Sequence, residues 1–488
     1  MPQAPVVIGV DSSTQSTKAL LADAETGRAL AVGRAPHRVD GSAGARESDP
    51  ELWWRALGEA VAAGLKEAGV AASAVTGIAV AGQQHGLVVL DRAGRPLRPA
   101  LLWNDTRSAP QAAALTEELG GPAVWTARTG SVPVAAVTAA KWRWLYENEP
   151  AHASAAAGVR LPHDFLTERL AGTAATDPGD ASGTGWYATA TGSYDPALLE
   201  LIGLDGRLLP EVAATGATRV GSLTASAAEA LGLPAGIAVA AGTGDNMAAA
   251  VGLGLGGAGL LDHPVLSLGT SGTVFAATRT RPASPALSGF AATDGTFLPL
   301  ACTLNCTLAV DRVAALLGLG RDDAEPGGEA VLLPYLDGER TPDLPTAAGL
   351  LTGLRHATTG PQLLGAAYEG AVFTALRALD DLLHVCGLDA AGAAARPLRL
   401  IGGGARGRTW VETVRRLSGR PLIVPRATEL VALGAAALAA AAVSGADPVA
   451  TAAAWGTGEG TALDPVARDT AAWEHIASVL DRAAPVLR

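Results

Sequence analysis

The feature that most constrains this chain is a pair of turns of the same composition, one near the start and one beyond the middle. In residues 8–17 and again in residues 266–273, a short apolar run breaks into small hydroxyl-bearing residues. A second β-prone run follows each turn at once, which predicts two β-hairpins. The hairpin tips offer backbone N–H and hydroxyl groups, and such turns bind anions. The repetition therefore predicts two similar domains that hold one phosphate chain between them.

Composition sets limits on size and partners. The 488 residues are too many for one ordinary hydrophobic core, and 49% of them are hydrophobic, so two large packed lobes are expected. A formal net charge of −11 disfavours binding to nucleic acid or to an anionic membrane surface. We therefore expect a small-molecule substrate and no nucleic-acid or membrane partner.

Cysteine content and the apolar stretches predict a location. The chain has three cysteines, which is typical of a reducing compartment, and its beginning lacks the basic region of a signal peptide. The longest apolar stretches, residues 247–261 and 430–443, are shorter than the roughly 20 residues that a membrane-spanning helix needs. These patterns predict a cytoplasmic protein.

The order of predicted elements favours an α/β fold with mixed sheets. Residues 6–32 predict a three-stranded meander; a helix then starts at Pro50, capped by Ser48 or Asp49, and a buried strand follows at 75–81. Residues 108–230 are less regular and are interpreted as an insertion that carries substrate contacts. In the second half the predicted elements are a hairpin at 265–277, a helix at 362–386, a strand at 398–401 and a helix at 429–443.

Asp11 lies at the tip of the first turn, among Ser13, Thr14 and Lys18. A carboxylate in a phosphate-binding turn would repel phosphate unless a divalent cation lay between them. Asp11 is therefore interpreted as a Mg²⁺ ligand. The alternative is an Asx-turn, in which the side chain only bonds its own backbone.

Glycine-rich turns give a second nucleotide signal. No lysine follows a glycine, which excludes a P-loop, and the protein-kinase His-Arg-Asp motif is missing. The run at Gly402, Gly403, Gly404 and Ala405 follows a predicted strand, and Glu429 comes about twenty residues later. This pattern also fits a dinucleotide-binding Rossmann fold, which stays open as an alternative.

Asp245 follows a Gly-Thr-Gly turn at the predicted boundary between the lobes. It could cap the helix that begins there, or it could act as a general base. An aspartate of ordinary pKa, roughly 3.9, is already ionised at neutral pH, so the base role requires no large shift.

Polar side chains cluster after two predicted strands. In open α/β sheets ligands bind at the carboxyl ends of strands, and amide, imidazole and carboxylate groups suit sugar hydroxyls. The candidate sugar-binding residues are Gln84, His85, Trp103 and Asn104.

Taken together, these motifs resemble those of the FGGY group of carbohydrate kinases, over nearly the whole chain. The resemblance is carried by residues 8–11, 49–54, 83–86, 103–105, 161–164, 180–184, 244–246, 267–272, 338–342 and 402–405. It implies two actin-like (ribonuclease H-like) α/β lobes, each with a mixed sheet flanked by helices, with ATP and sugar in the cleft between them. Residues 1–247 would form the sugar-binding lobe and residues 248–488 the ATP-binding lobe.

The resemblance also implies roles for individual residues. Asp245 would be the catalytic base and would bind the sugar together with Gln84, His85 and Asn246, while Asp11 would hold Mg²⁺. ATP would be contacted by the two hydroxyl-rich turns and the glycine turn, at Asp11, Ser13, Thr14, Lys18, Gly269, Thr270, Ser271, Gly402, Gly403, Gly404 and Ala405.

The implied reaction is ATP-dependent phosphorylation of D-xylulose at its terminal hydroxyl, as a step of D-xylose catabolism, by a protein that could form a homodimer. Another sugar or polyol, such as ribulose or glycerol, and a non-catalytic actin-like sugar sensor are the alternatives.

Overall fold

The computed structural model describes residues 4–257 and 259–487. Two large mixed β-sheets dominate it, one from each half of the chain. From edge to edge the strands of the first sheet are Arg219–Ser222, Ala238–Ala240, Val75–Gly82, Val6–Ser12, Ser16–Asp23 and Ala29–Pro36, with Thr243–Gly244 paired to the end of Val75–Gly82. Those of the second are Ser288–Ala291, Phe297–Thr303, Gly272–Phe275, Val265–Leu268, Leu398–Ile401, Leu422–Pro425 and Gly460–Leu463.

The two sheets repeat one topology. In each, the hairpin predicted from a hydroxyl-rich turn pairs antiparallel, and the first strand of the hairpin also pairs in parallel with a later strand. The three-stranded meander at the start is confirmed, and its third strand extends to Pro36. The prediction of two α/β lobes with mixed sheets is therefore confirmed; the first lobe is built on the first sheet and the second lobe on the second.

Helices flank both sheets. The helix predicted from Pro50 spans Pro50–Ala68; Asp49 caps it by accepting a hydrogen bond from the Glu51 backbone N–H. The others in the first half are Ala109–Glu118, Pro122–Thr129, Thr138–Asn148, Pro150–Ala155, Pro162–Ala171, Pro178–Ala181, Pro196–Ile202, Ala225–Leu231 and Asp245–Gly252. In the second half they are Thr307–Leu317, Gly360–Val385, Ala390–Ala395, Arg408–Ser418, Leu430–Ser444, Pro448–Ala454 and Thr470–Leu487.

The helix Leu430–Ser444 connects the two lobes. Although it comes late in the chain, it packs on the first sheet, and its alanines share one buried apolar cluster with Val7, Leu20 and Ala79. It also contacts the helix Asp245–Gly252. Because its alanine and glycine residues are small, its backbone can lie very close to the first sheet and to the helix Asp245–Gly252.

No single helix among the described residues has the length and apolarity needed to cross a membrane. One pair of helices, Leu430–Ser444 and Pro448–Ala454, is long and apolar enough when the two are counted together. That result rests on length and composition only, and the chain bends by 114° between the two helices.

We expect Gly434→Ala to destabilise the protein. A Cβ at Gly434 would lie 1.8 Å from the Ala248 carbonyl oxygen, so the two helices would have to separate. Overpacking of this kind costs about 1 to 3 kcal/mol, which exceeds the helix-propensity gain of about 1 kcal/mol from removing a glycine. The matched control is Gly58→Ala, also inside a helix, where the nearest atom would be 3.6 Å away. Thermal unfolding should show a lower Tm for Gly434→Ala and an equal or higher Tm for Gly58→Ala; equal Tm shifts would contradict the close packing.

Candidate active site

A cleft of about 520 Å³ lies between the two sheets. Asp11 and Lys18 line it from the first sheet, and Thr273 and Phe275 line it from the second. Asp245 and Asn246 lie where the two lobes meet. Of the predicted site residues, the cleft brings together Asp11, Lys18, Asp245, Asn246, Gly402, Gly403 and Ala405.

A chain of charges runs along one wall of the cleft. Asp11 and Lys18 are opposite each other in the first hairpin, and the Lys18 Nζ lies 3.2 Å from Asp11 Oδ2 and 2.5 Å from Glu429 Oε2. Arg34 also pairs with Glu429, at 3.1 Å. Burial raises the pKa of Asp11, and Lys18 opposes that effect. Burial would lower the pKa of Lys18, but Asp11 and Glu429 together raise it, so the ammonium group stays charged.

Glu429 is a site residue that the sequence reasoning placed in the wrong role. It drew attention as the acidic residue that follows a glycine turn in a Rossmann fold. Its carboxylate is instead occupied by Lys18 and Arg34, and the sheet that carries Gly402 has antiparallel strands at both edges. Glu429 therefore does not supply the free acidic group that the dinucleotide-binding alternative requires.

Asp245 is held in place by short local contacts. It is the first residue of the helix Asp245–Gly252, directly after the short strand Thr243–Gly244. Its Oδ1 accepts hydrogen bonds from the Asn246 backbone N–H at 2.8 Å and from Asn246 Nδ2 at 3.2 Å. Burial, together with the negative charges of Asp11 and Asp180, raises its pKa to about 7. The turn sequence offered no sign of this raised pKa, because it comes from burial and from carboxylates that the fold brings near Asp245.

Gln84 and His85 follow the strand Val75–Gly82, as expected. Gln84 Oε1 accepts a hydrogen bond from Asn246 Nδ2 at 2.7 Å, which places it beside the Asp245 helix. His85 has a positive φ of 65°, which is uncommon for a residue other than glycine, and its Nδ1 is 2.8 Å from the Gly183 carbonyl oxygen. Burial, with Lys141 nearby, lowers the His85 pKa to about 3. The ring is therefore neutral, with Nδ1 donating to Gly183 and Nε2 able to accept from a hydroxyl.

Trp103 and Asn104 lie next to the first hydroxyl-rich turn. Trp103 is 45% exposed, and its Nε1 donates a hydrogen bond to Thr14 Oγ1 at 3.0 Å. The Asn104 Oδ1 is buried and has no hydrogen-bond partner among the described residues. The hydrogen bond from Trp103 to Thr14 joins a candidate sugar-binding segment to a candidate phosphate-binding turn.

The remaining predicted ATP contacts are outside the lining of the cleft. Ser13 closes its own turn, with Oγ donating to the Ser16 carbonyl at 2.8 Å. The Gly269 carbonyl accepts from the Thr307 hydroxyl at 2.8 Å, while Gly404 is buried against Leu268. Thr270 and Ser271 form the tip of the second hairpin, between Val265–Leu268 and Gly272–Phe275.

A buried charged cluster behind Asp245 was not predicted as part of the site. His163 Nδ1 is 2.7 Å from Asp180 Oδ2, and His163 Nε2 is 3.2 Å from Asp164 Oδ1. Burial would lower the His163 pKa, but the surrounding carboxylates raise it to about 9. Asp177 belongs to this cluster, because its charge also acts on His163, and it accepts a hydrogen bond from the Thr243 hydroxyl at 2.8 Å. The cluster therefore anchors the strand just before Asp245. Residues 161–164 and 180–184 are among the motifs that carry the family resemblance, so the sequence did mark these segments. Their positions in the sequence did not indicate what the residues do.

The acidic groups bear on whether a metal fits here. Within the described parts of the chain, no group of three or more His, Cys, Asp or Glu side chains is arranged to hold a metal ion. Mg²⁺ is usually bound by one or two carboxylates plus phosphate oxygens and water. Asp11 in a cleft wide enough for a nucleotide fits that pattern, and a preformed protein cage is not required.

Comparison with known proteins agrees with this geometry. The FGGY family of carbohydrate kinases matches with its N-terminal domain over residues 6–252 and with its C-terminal domain over residues 265–443. A xylulose kinase of Streptomyces coelicolor is 57% identical, over 99% of this chain and 98% of its own length. A xylulose kinase of Escherichia coli is 34% identical, over 88% of this chain and 89% of its own.

A solved structure shows the same architecture. The xylulose kinase of Bifidobacterium adolescentis superimposes with a TM-score of 0.80 at 33% identity, covering 98% of this chain and 99% of that one. Its two halves therefore correspond to the two lobes described above. The chain belongs to the FGGY family of carbohydrate kinases and is a sugar kinase.

Proposed function

We propose that this kinase transfers the γ-phosphoryl group of ATP to the terminal hydroxyl of D-xylulose, giving D-xylulose 5-phosphate in D-xylose catabolism. The observation that carries the proposal is Asp245, a carboxylate of raised pKa that faces the same cleft as Asp11 and Lys18. Similarity to xylulose kinases over nearly the whole chain favours this sugar over ribulose or glycerol.

Asp245 acts as the general base. A carboxylate with a pKa near the working pH is well matched to accept a proton from an alcohol as its oxygen attacks phosphorus. Asn246, bonded to both Asp245 and Gln84, aligns the carboxylate with the sugar-binding residues. We assign sugar binding to these three residues together with His85, Trp103 and Asn104.

The side of the cleft that contains Asp11 and Lys18 offsets the negative charge of the phosphates. Lys18 stays protonated between two carboxylates and adds positive charge near the phosphates. Mg²⁺ held by Asp11, when bound with ATP, would neutralise the negative charge on the phosphate oxygens. The backbone and hydroxyl donors for the phosphates are assigned to Thr14, Gly269, Thr270 and Ser271. Ser13, whose N–H and hydroxyl both donate to the Ser16 carbonyl, is assigned to holding the first turn in shape.

The adenosine part of ATP is assigned to the glycine turn after Leu398–Ile401. A Cβ built on Gly403 meets no atom within 4 Å, so a flat group can approach the backbone there. Gly402 and Ala405 line the same part of the cleft. Gly404 does not line it and packs against Leu268. Sugar binding is thus assigned mainly to residues 1–247 and ATP binding to residues 248–488.

A coupled assay of ADP release with D-xylulose, D-ribulose and glycerol tests this function. We expect the highest kcat/KM with D-xylulose and little ADP release without sugar. A higher kcat/KM for D-ribulose or glycerol would identify that compound, and not D-xylulose, as the preferred substrate. If none of the three acceptors stimulated ADP release, the sensor alternative would be favoured. A cytoplasmic location and a homodimer remain predictions, testable by fractionation and by light scattering.

A further inference from the structure

The Gln84 amide connects Asp245 to the buried charged cluster behind it. Gln84 Oε1 accepts a hydrogen bond from Asn246 Nδ2 at 2.7 Å, and the same Nδ2 lies 3.2 Å from Asp245 Oδ1. On the other side of the amide is Asp180, the carboxylate that His163 binds at 2.7 Å. A continuous series of polar side chains therefore runs from the interior of the first lobe to the cleft.

Gly244 brings Gln84 and Asp180 together. The short strand Thr243–Gly244 pairs in parallel with the end of Val75–Gly82, which places Gly244 beside the segment that carries Gln84. A Cβ built on Gly244 would lie 3.0 Å from Gln84 Cδ and 3.0 Å from Asp180 Oδ1, so the amide and the carboxylate both pack on this glycine. Gln84 is only 4% exposed and Asp180 is fully buried, so the two groups meet in the protein interior.

Only one orientation of the Gln84 amide fits both of its neighbours. A carboxylate only accepts hydrogen bonds, and the Asn246 Nδ2 group only donates them. With Oε1 on Asn246, the Gln84 amide directs Nε2 toward Asp180 Oδ1, and neither of these buried atoms is hydrogen-bonded to any other residue that the structure describes. Burial raises the pKa of Asp180, and His163 and the Gln84 amide oppose that effect. A reversed amide would set oxygen against carboxylate, so the charge of Asp180 selects the orientation of Gln84.

Asn246 extends this orientation to Asp245. Because its Nδ2 donates to Gln84 Oε1, the Asn246 amide cannot turn its oxygen toward Asp245. Its backbone N–H, at 2.8 Å, and its Nδ2 both donate to Asp245 Oδ1. These two contacts hold Oδ1 and leave Oδ2 for the proton of the sugar hydroxyl.

Asp180 is itself held in place and cannot touch the sugar. His163 Nδ1 lies on Asp180 Oδ2, and His163 Nε2 lies 3.2 Å from Asp164 Oδ1. An imidazole with a carboxylate at each nitrogen is protonated and donates to both. His163 therefore occupies Asp180 Oδ2 and leaves Oδ1 to Gln84. Since His163 and Asp180 are both 0% exposed, any effect of Asp180 on turnover acts through its neighbours.

We propose that Asp180 and Gln84 are positioning residues for phosphoryl transfer: Asp180 fixes the orientation of the Gln84 amide, and that amide, through Asn246, holds Asp245 where it takes the proton of the hydroxyl. This inference rests on the proposed function. A misplacement of a reacting group by about 1 Å costs up to about 100-fold in rate, so the contribution of these residues is measurable in kcat.

Steady-state kinetics of Gln84→Met and Asp180→Asn test the two positions. The assays are run at about pH 9, where a base with a pKa of about 7 is ionised. Methionine matches the length of glutamine but has no amide, and we expect Gln84→Met to lower kcat by about 10- to 100-fold. Asp180→Asn should lower kcat by a similar factor and leave the KM for the sugar within about 3-fold, because Asp180 does not contact the sugar. Wild-type kcat in both variants would overturn the proposal.

Exchanging the amide and the carboxylate tests their complementarity. Gln84→Glu alone sets a carboxylate against Asp180 and should lower kcat. In Gln84→Glu/Asp180→Asn, the amide at position 180 can accept from His163 and donate to the carboxylate at position 84, which still accepts from Asn246. We expect the kcat of this double variant to be at least about 5-fold higher than that of either single variant. A double variant no more active than its singles would contradict the proposed orientation.

A second cycle separates positioning from a general loss of folded enzyme. In the Asp245→Asn background, Gln84→Met should lower the residual kcat by less than about 2-fold, because the base through which it acts is gone. Equal fold losses in the two backgrounds would overturn the proposal. Gln111→Met, which removes an amide hydrogen bond to Glu147 of 2.9 Å away from the cleft, is the matched control and should keep wild-type kcat.

The choice of acceptor keeps the two proposals separate. All variants are compared with the acceptor that wild type uses best, so a preference for a sugar other than D-xylulose would change the proposed function and not the positioning result. Absence of turnover by wild type with every acceptor would overturn both.

Discussion

Replacing Asp245 with asparagine should lower kcat by about 10³-fold, because the amide cannot accept the proton of the attacking hydroxyl. The affinity for an ATP analogue should change little, since Asn246 and the rest of the cleft wall remain. In the wild type, kcat/KM should rise with pH along an acid limb whose midpoint lies near the Asp245 pKa of about 7. Turnover of Asp245→Asn within about 10-fold of wild type would remove Asp245 from the base role.

The same substitution should also change stability in a pH-dependent way. The Asp245 pKa is raised from the ordinary 3.8 to about 7, so its contribution to folding is present below pH 3.8 and is lost as pH rises toward 7. Each pH unit in that window costs the wild type about 1.4 kcal/mol. Asparagine carries no charge and escapes this loss. We therefore expect the Tm advantage of Asp245→Asn over wild type to grow between pH 5 and pH 7 and then to level off. An advantage that is constant with pH would contradict the raised pKa.

Replacing Asp11 with asparagine should have the second-largest effect. An amide is a weaker ligand for Mg²⁺ than a carboxylate, so the Mg²⁺ concentration needed for half-maximal activity should rise by at least about 10-fold and kcat should fall by about 10²-fold. Titration of activity with MgCl₂ at saturating ATP measures both. An unchanged Mg²⁺ dependence would rule out the metal role of Asp11.

Asp11→Asn offers a second readout, because the Asp11 charge is one cause of the raised Asp245 pKa. Removing that charge should move the acid limb of kcat/KM to lower pH. Asp464→Asn, which neutralises an exposed carboxylate of the second lobe, is the control and should leave both the Mg²⁺ titration and the acid limb in place.

Much of the fold was predictable from the sequence because its signals are local. The strand Leu398–Ile401 and the helix that starts at Pro50 were predicted with these bounds, since apolar runs, a capping aspartate and an N-terminal proline act over a few residues. The two hairpins were predicted for the same reason, and their repetition pointed to two lobes. Asp11 and Asp245 were found as candidates because Asp11 lies in, and Asp245 directly follows, a turn of distinctive composition.

The tertiary structure decided how these pieces act together. Only the fold shows that the helix Leu430–Ser444 packs on the sheet of the other lobe, that Glu429 binds Lys18, and that His163 supports the segment before Asp245. These contacts join residues far apart in the chain, and no local pattern encodes their distance.

The hydroxyl-rich turns illustrate the division. The sequence by itself determined that there are two of them and that they form hairpins, because hydrogen bonding and side-chain alternation within each segment are sufficient. It could not determine that Asp11, from the first turn, would raise the pKa of Asp245. Desolvation and Coulomb interactions depend on distance and burial in space, and those are set only when the two lobes pack around the cleft.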